Sequence, residues 1–307
     1  MPTVLITGGT GLLGRALTRA LTEKGYRVII LSRKTAGNNT PQAGPVSFAT
    51  WDVKNKVMDI AALQQADYII HLAGAGVMDK KWTPAYKEAI ISSRVNSAAL
   101  LVTSLGQHPN KVKAVISASA IGWYKEDGTV HTEEEPADSS FLGNTCRLWE
   151  ASVDPAALLE KRVVKLRIGI VLSAAGGALK EFMQPLRFGV AAVLGDGKQI
   201  ISWIHIDDLC RMFIYAIENG NMAGAYNAVA PLPVSNKTLT IALAKKMKGK
   251  WYLPLRVPTF ILKLLLGSRS IEILKSTTAS SKKIEATGFT FQFKKIEEAL
   301  DAIVKTT

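Results

Sequence analysis

Two rhythms of apolar and polar positions run through the first 170 residues. Runs rich in Val and Ile at 3–7, 27–31, 46–50, 68–72, 112–118 and 163–168 are predominantly apolar. Such runs predict strands buried on both faces. Between them apolar residues recur every three or four positions, as on one face of a helix. Strands alternating with helices of this length predict an α/β fold, a doubly wound parallel sheet with right-handed crossovers. After Leu172 the rhythm loosens into a Gly-rich turn at Gly176 and Gly177, a helix to about Arg187, and a second Gly-rich stretch at Gly195 and Gly197. A strand-like Ile200 to Ile206, a helix from Asp207 to about Glu218 and a short strand near Tyr226 and Asn227 bring the chain back to the sheet. The remainder reads as a small, mainly helical C-terminal domain. Ser235 caps one helix, Pro254 and Pro258 act as breakers, and helices follow near 258–266, 269–275 and 294–304. The expected organisation is a sheet domain of residues 1–172 plus about 200–230, and a smaller domain of about 173–199 plus 231–307.

Composition adds bounds to this picture. The 307 residues are 48% apolar, enough to fill a sizeable core. The two cysteines, Cys146 and Cys210, fall in helical patterns and imply a reducing compartment rather than a disulfide framework. The chain opens on the strand-like Thr3–Thr7 with no signal-type n- and h-regions. Its longest apolar stretch, Phe260–Leu266, is broken by Lys263 and falls below the roughly 18–20 residues of a span. These features predict a cytoplasmic protein with no membrane partner. Charge is uneven. Of 38 basic and 25 acidic side chains, 13 and 5 lie in residues 245–307. Without zinc-ligand spacing, RNP-type aromatics or a recognition helix, nucleic-acid binding is disfavoured. Lys245, Lys246, Lys248 and Lys250 suit the negative end of a helix dipole.

The strongest local signal is Thr7-Gly8-Gly9-Thr10-Gly11-Leu12-Leu13-Gly14, between the first strand and an amphipathic helix. Gly8 permits the tight turn, Gly11 lets backbone approach a pyrophosphate, and Gly14 allows close packing of helix on strand. This setting makes the sheet a Rossmann-type dinucleotide-binding domain. After the second strand NAD sites commonly carry a carboxylate, but here the chain reads Ser32-Arg33-Lys34, whose cations and hydroxyl suit a 2′-phosphate. NADP(H) is therefore the expected cofactor. Asp52 after the third strand is placed to receive the adenine amino group or to be an exposed turn Asp. Leu72-Ala73-Gly74 ends the fourth strand with small residues where backbone passes close to the cofactor, or makes a simple tight turn.

The glycine loop, His71-Leu72-Ala73-Gly74 and Trp203-Ile204-His205-Ile206-Asp207-Asp208 together resemble the extended short-chain dehydrogenase/reductases. Met78–Thr83, Ser93–Ser97, Ser117–Gly122, Arg167–Leu172 and Asn227–Pro231 look like the epimerase-like atypical subgroup known as the YfcH family. Leu253–Ile303 is similar to that family's C-terminal domain of unknown function, so the resemblance covers essentially the whole chain. It implies that Ser117, Arg167 and Ile168, with Arg94 and Cys146, lie at the cofactor beside the residues already named. Superfamily catalysis uses a Ser to hold the substrate oxygen, a Tyr to exchange the proton, and a Lys four residues on. Ser119 matches the Ser. Aligned on Glu150, Leu142 stands at the Tyr position and Cys146 at the Lys position, while Arg94 stands near the usual Asn. The resemblance thus implies Ser119, Cys146 and Arg94 as catalytic candidates.

Leucine cannot exchange a proton, so carbonyl reduction in its usual form is closed to this chain. A Cys146 thiol beside Arg94 or Arg147 could serve as acid or thiolate, although a buried helical Cys packed as a small hydrophobe is the favoured reading. Arg94 either clamps an anionic substrate or, the favoured reading, braces the cofactor ribose and the loop after the fifth strand. Tyr124, five residues beyond Ser119, is a substitute acid or an interfacial aromatic. His71 and His205 read as hydrogen-bonded structural histidines, Glu133-Glu134-Glu135 as a solvated loop without metal-ligand spacing, and Lys80-Lys81-Trp82 as a rim loop. The expected activity is hydride transfer between NADP(H) and a small polar substrate, such as a sugar nucleotide, by an oxidoreductase or epimerase-like enzyme. A non-catalytic NADP(H)-sensing module is the alternative. A homo-oligomer is compatible with either.

Overall fold

A computed structural model describes residues 1–33 and 44–305. In chain order the strands are β1 (Thr3–Thr7), β2 (Arg27–Ser32), β3 (Val46–Asp52), β4 (Val57–Met58), β5 (Tyr68–His71), β6 (Ala114–Ala120), β7 (Val130–His131) and β8 (Arg162–Ile168). They continue as β9 (Ile170–Leu172), β10 (Val190–Leu194), β11 (Ile200–Ile201), β12 (Trp203–His205), β13 (Gly224–Ala228), β14 (Val234–Ser235), β15 (Leu253–Val257) and β16 (Thr278–Ala279). The helices are α1 (Leu12–Glu23), α2 (Ile60–Gln65), α3 (Pro84–Gln107), α4 (Phe141–Val153), α5 (Ala178–Arg187) and α6 (Ile206–Glu218). The C-terminal ones are α7 (Asn236–Lys248), α8 (Thr259–Leu266), α9 (Ser270–Leu274), α10 (Lys282–Ala286) and α11 (Ile296–Lys305).

Eight strands form one sheet in the order β13-β8-β6-β5-β1-β2-β3-β4, parallel at every neighbour except the β3–β4 pair. Every residue of β1 is buried, as is nearly all of β6, because helices cover both faces; this is why these strands lack polar alternation. From β1 the chain builds outward through β2 and β3, then crosses back to build β5, β6, β8 and β13 on the other side. The order reverses between β1 and β5, and ligands of open α/β sheets bind outside the carboxyl ends of the strands at such a point. Helix α3 is 24 residues long and apolar enough by composition to cross a membrane, but it packs against α4 and buries Ile90, Ala98, Leu101 and Leu105.

The segment Ile200–Ile206 departs from expectation, because it does not rejoin the main sheet. Ser202 splits it into β11, paired with β14, and β12, paired with β9. The Ser202 hydroxyl donates to the Thr277 carbonyl (2.8 Å) and accepts from the Ala279 N–H (2.9 Å), which turns the strand aside. The chain returns to the main sheet only at β13. A second core gathers Leu179, Leu186, Trp203, Leu239, Leu243 and Ile303 from α5, β12, α7 and α11. Phe289 and Phe291, late in the chain, pack instead into the main core.

Two motif residues tie these cores together. Asp208, fully buried at the start of α6, accepts the backbone N–H groups of Gln292 (2.9 Å) and Phe293 (2.8 Å) and pairs with Arg211 at 2.6 Å. His205 caps the same helix by accepting the Asp207 N–H through Nδ1 (3.1 Å), and its ring lies 4.0 Å from that of Phe293. The Trp203–Asp208 motif thus acts as a clasp on the C-terminal segment.

Candidate functional site

At the carboxyl end of β1 the backbone folds tightly. Gly8 has φ +68°, and a Cβ there would lie 2.9 Å from the Leu72 carbonyl carbon. A Cβ on Gly14 would lie 2.5 Å from the Gly8 oxygen. Neither position admits a side chain, so the glycines are required by the approach of loop, helix and β5. A Cβ on Gly11 would meet only the Gly8 oxygen, at 3.3 Å, which leaves its other side open. Helix α1 starts at Leu12 and Leu13 with no side-chain cap and no acid in its first turn, and therefore presents unsatisfied N–H groups and a positive dipole. Thr7 holds the adjoining loop: its hydroxyl accepts from the Leu72 and Ala73 N–H groups, both at 3.1 Å, and lies 2.8 Å from His71 Nδ1. With both acceptor positions used, the Thr7 proton goes to Nδ1, and Nε2 carries the imidazole proton toward Ser97 (3.4 Å). Burial, reinforced by Arg94, pushes His71 down to about 4 and keeps it neutral. It is a structural His.

A cavity of about 1330 Å³ extends from the ends of β2 and β3 along α3, lined by Arg33, Asp52, Lys54, Lys56, Ser93 and Asn96 among others. Arg33 is exposed at its rim; Ser32, which ends β2, is half-buried; and Lys34 lies outside the described residues. Hydrogen bonds from Asn55 N (3.1 Å) and Nδ2 (2.8 Å) hold the Asp52 carboxyl below the usual range. Lys54 and Lys56, between β3 and β4, add two cations to this lining that the sequence pattern does not single out. Arg94 is buried in α3 and donates to the carbonyls of Ala75 (3.0 Å) and Ile90 (2.8 Å), with its guanidinium 4.8 Å from the Trp149 ring. It braces the loop after β5, the fourth of the runs read from the sequence, rather than the expected loop after the fifth, which is β6; a Cβ on Gly74 in that loop would lie 3.1 Å from its Cζ.

At the ends of β6 and β8 the structure revises several expected roles. Ser119 is buried and donates to Glu150 Oε1 at 2.7 Å, so its hydroxyl is bound inward rather than offered to a substrate. Arg167, expected at the cofactor, instead pairs with Glu150 (Nε–Oε1 2.8 Å) and donates to the Tyr124 hydroxyl (3.0 Å) and the Glu133 carbonyl (3.1 Å). Its guanidinium lies 3.7 Å from the Trp123 ring. Tyr124 donates to Asn227 Oδ1 (2.7 Å), and burial pushes its hydroxyl up to about 12, which removes it as a substitute acid. Glu133 is not solvated either: it is buried and accepts the Asn227 N–H at 2.7 Å. Glu135 accepts from or pairs with His131 Nδ1 at 2.7 Å, and Glu134 alone of the three stays on the surface, near Lys283. Burial and then the Glu150 charge push the Cys146 thiol up to about 12, with Arg94 opposing. Cys146 is a packed thiol, neither thiolate nor acid at neutral pH. Ser117 is buried inside β6 with its hydroxyl on the Ala118 carbonyl (3.0 Å), and Ile168 ends β8 half-buried. Trp82 of the rim loop donates to the Val77 carbonyl (2.8 Å) and meets the Phe141 ring edge-on.

Just beyond this network lies a second cavity, of about 150 Å³, lined by Ile121, Gly122, Ile170, Phe182, Ile201 and Glu272 among others. A Cβ on Gly122 would sit 3.6 Å from Cys146 Sγ and 3.4 Å from Leu142 Cβ, so the cavity opens beside these two residues of α4. The Glu272 carboxyl comes from α9 of the C-terminal domain. It makes no hydrogen bond or ion pair among the described residues, and burial raises its pKa against the pull of Lys275. Lys275 lines the same cavity and donates to the Tyr124 carbonyl. In the sequence only the placement of Glu272 inside the apolar run Ile271–Leu274 could have signalled it. No group of three or more metal-ligating side chains occurs among the described residues.

A family model described as the NAD dependent epimerase/dehydratase family matches residues 4–152, and one described as a domain of unknown function, DUF1731, matches residues 257–303. An epimerase family protein of Staphylococcus haemolyticus is 33% identical over 310 residues, spanning 99% of this chain and 99% of that protein. Among solved structures, a human epimerase family protein crystallised with NADPH superposes with a TM-score of 0.86 at 27% identity, covering 99% of this chain and 100% of that one. A nucleoside-diphosphate sugar epimerase from Corynebacterium glutamicum superposes with a TM-score of 0.77 at 32% identity, covering 99% of this chain and 58% of that one.

Proposed function

The chain belongs to the epimerase family of its staphylococcal relative, and from that premise we propose that it is an NADP(H)-dependent oxidoreductase of small carbonyl compounds, with Glu272 as its proton donor. The observation that carries this reading is the placing of three features at the carboxyl ends of the strands. A cation-rimmed cleft lies at β2 and β3, the glycine cradle at β1 and β5, and a small cavity lined by the unpaired Glu272 carboxyl at β6 and β8. The human relative was crystallised with NADPH, which agrees with this choice of cofactor.

The residues fit such a cofactor. Gly8, Gly11 and Gly14 with the α1 N-terminus would take the pyrophosphate, and the loop Leu72-Ala73-Gly74 flanks it. Arg33, Lys54 and Lys56 suit a 2′-phosphate, and the one carboxylate between them, Asp52, is already occupied by Asn55. When bound, NADPH supplies a hydride at C4 of its nicotinamide. The apolar lining from Ile121, Ile170, Phe182 and Ile201 lowers the polarity around the half-buried Glu272 and favours its protonated form further up the pH range. In reduction Glu272 gives its proton to the substrate oxygen, and in oxidation the carboxylate takes it back. Glu150, Arg167 and Tyr124 hold the backbone after β6 that forms one wall, and Lys275 ties α9 to that wall. At about 150 Å³ the cavity is below the roughly 300 Å³ at which drug-sized pockets begin, which favours a small carbonyl compound over a whole sugar nucleotide.

The inward bonding of Ser119 favours one other reading, a sensor that binds NADP(H) without turnover. Mixing the protein with NADPH or NADH and a panel of small aldehydes and ketones, while following absorbance of the reduced nicotinamide, separates them. The enzyme reading expects NADPH to bind more tightly than NADH and to be consumed with at least one carbonyl. Tight NADPH binding with no consumption across the panel supports the sensor, and preference for NADH refutes the role given to Arg33.

A further inference from the structure

Helix α8 is apolar at every position except Thr259 and Lys263, yet only Leu262 is buried. A helix apolar all round is normally enclosed by protein or lipid. Its neighbourhood is equally bare. Of the fifteen exposed large hydrophobic side chains among the described residues, seven lie between Trp251 and Ile271. An eighth, Phe188, joins them through the fold: β10 and β15 pair in parallel, and the Leu253 N–H donates to the Gly189 carbonyl at 2.8 Å. Phe188 (88% exposed) and Trp251 (87%) therefore project from the same end of this two-stranded sheet. Lys248 joins them there, its Nζ donating to the Arg187 carbonyl at 3.1 Å.

Charge selects the occupant. Residues 245–271 carry seven basic and no acidic side chains. A two-fold contact with a second copy would set these cations against the same cations, without an acid in the segment to relieve them. An anionic bilayer satisfies both halves of the surface: its headgroups attract Lys and Arg, while Trp, Phe and Leu enter the boundary between headgroup and acyl chain. Eight residues of α8 are too few to span, so the contact lies in the membrane plane. We propose that Phe188, Trp251, β15 and α8, with the surrounding lysines, form a docking face for an anionic lipid surface. This departs from the expectation of no membrane partner and gives the excess charge of the C-terminal domain a counterpart. It does not rest on the proposed hydride chemistry.

Sedimentation of the full chain with vesicles of phosphatidylcholine, and of phosphatidylcholine with phosphatidylglycerol, tests it. The protein partitions onto the phosphatidylglycerol vesicles at low salt and at least about tenfold less at high salt or without the anionic lipid. The triple variant Phe188→Ser, Trp251→Ser, Leu264→Ser keeps every charge and partitions at least about tenfold less. All three positions are exposed, so its unfolding midpoint stays that of the parent. Leu158→Ser, at an apolar position 86% exposed elsewhere on the surface, changes nothing. Failure of the parent to bind anionic vesicles overturns the proposal, as does a triple variant that binds equally, which would reduce the effect to adsorption by charge. A concentration-dependent dimer that the triple variant abolishes, without vesicle binding by the parent, would assign the surface to a second copy.

Discussion

The two ends of the ligand crevice are built by opposite means. At β1 the site is backbone: glycines are pressed against Leu72 and into the start of α1, and unsatisfied N–H groups face outward. At β6 and β8 the site is side chain, a closed network of Ser119, Glu150, Arg167, Tyr124, Glu133 and Asn227 in which each partner's polar group is spoken for. The first arrangement is open to a ligand. The second is turned inward, and the unpaired carboxyl beside it, Glu272, comes from the C-terminal segment. The comparison teaches that one sheet can present open backbone donors at one pair of strand ends and a closed, self-satisfied side-chain network at another.

The largest expected effect falls on the closed end. Arg167→Met strands the Glu150 charge in the interior and lowers stability by about 3–5 kcal/mol in denaturant unfolding. A loss below about 1 kcal/mol would mean that the network is not what holds the wall. Next comes the pH response of the hinge between the two ends. His71 has its pKa lowered from 6.5 to about 4, so the fold prefers the neutral ring. Its contribution is complete above pH 6.5 and is lost as pH falls toward 4, by up to about 3 kcal/mol. Replacing His71 by Gln flattens that part of the stability curve, and an unchanged slope between pH 6.5 and 4 would contradict this role. At the open end, Arg33→Ser weakens NADPH binding by about tenfold while leaving NADH unchanged, as equilibrium titration would show. Equal losses for both cofactors would remove the 2′-phosphate from the account. The smallest effect is an absence of reaction: Cys146, with its thiol pushed up to about 12, resists alkylation in the folded protein at mildly alkaline pH. Rapid labelling read by peptide mass would reopen its catalytic role.

The same contrast explains what could be read from the chain. Runs such as Thr3–Thr7 and Ala114–Ala120 announce themselves because burial on both faces requires apolar residues in sequence. The glycine loop is legible because its geometry admits few alternatives to Gly. The closed end is not legible, because Glu150 reaches Ser119 across 31 positions and Asn227 reaches Glu133 across 94. No local period encodes such pairings. Ser202 diverting Ile200–His205 from the main sheet is a similar case, decided by a hydroxyl meeting Thr277 and Ala279 far along the chain. Glu272 was hidden for the same reason, since its chemistry comes from the cavity rather than from its neighbours in sequence.

The pH profile of NADPH-dependent carbonyl reduction in the parent and in Glu272→Gln tests the central claim most directly. In the parent, the rate has a limb that falls as pH rises and the Glu272 proton, held above the usual carboxyl range by burial, is lost. In Glu272→Gln, the rate drops by about 10²–10⁴ and that limb disappears, while the dissociation constant of NADPH stays the same. A Glu272→Gln protein that keeps the parent's rate and its falling limb would contradict the account.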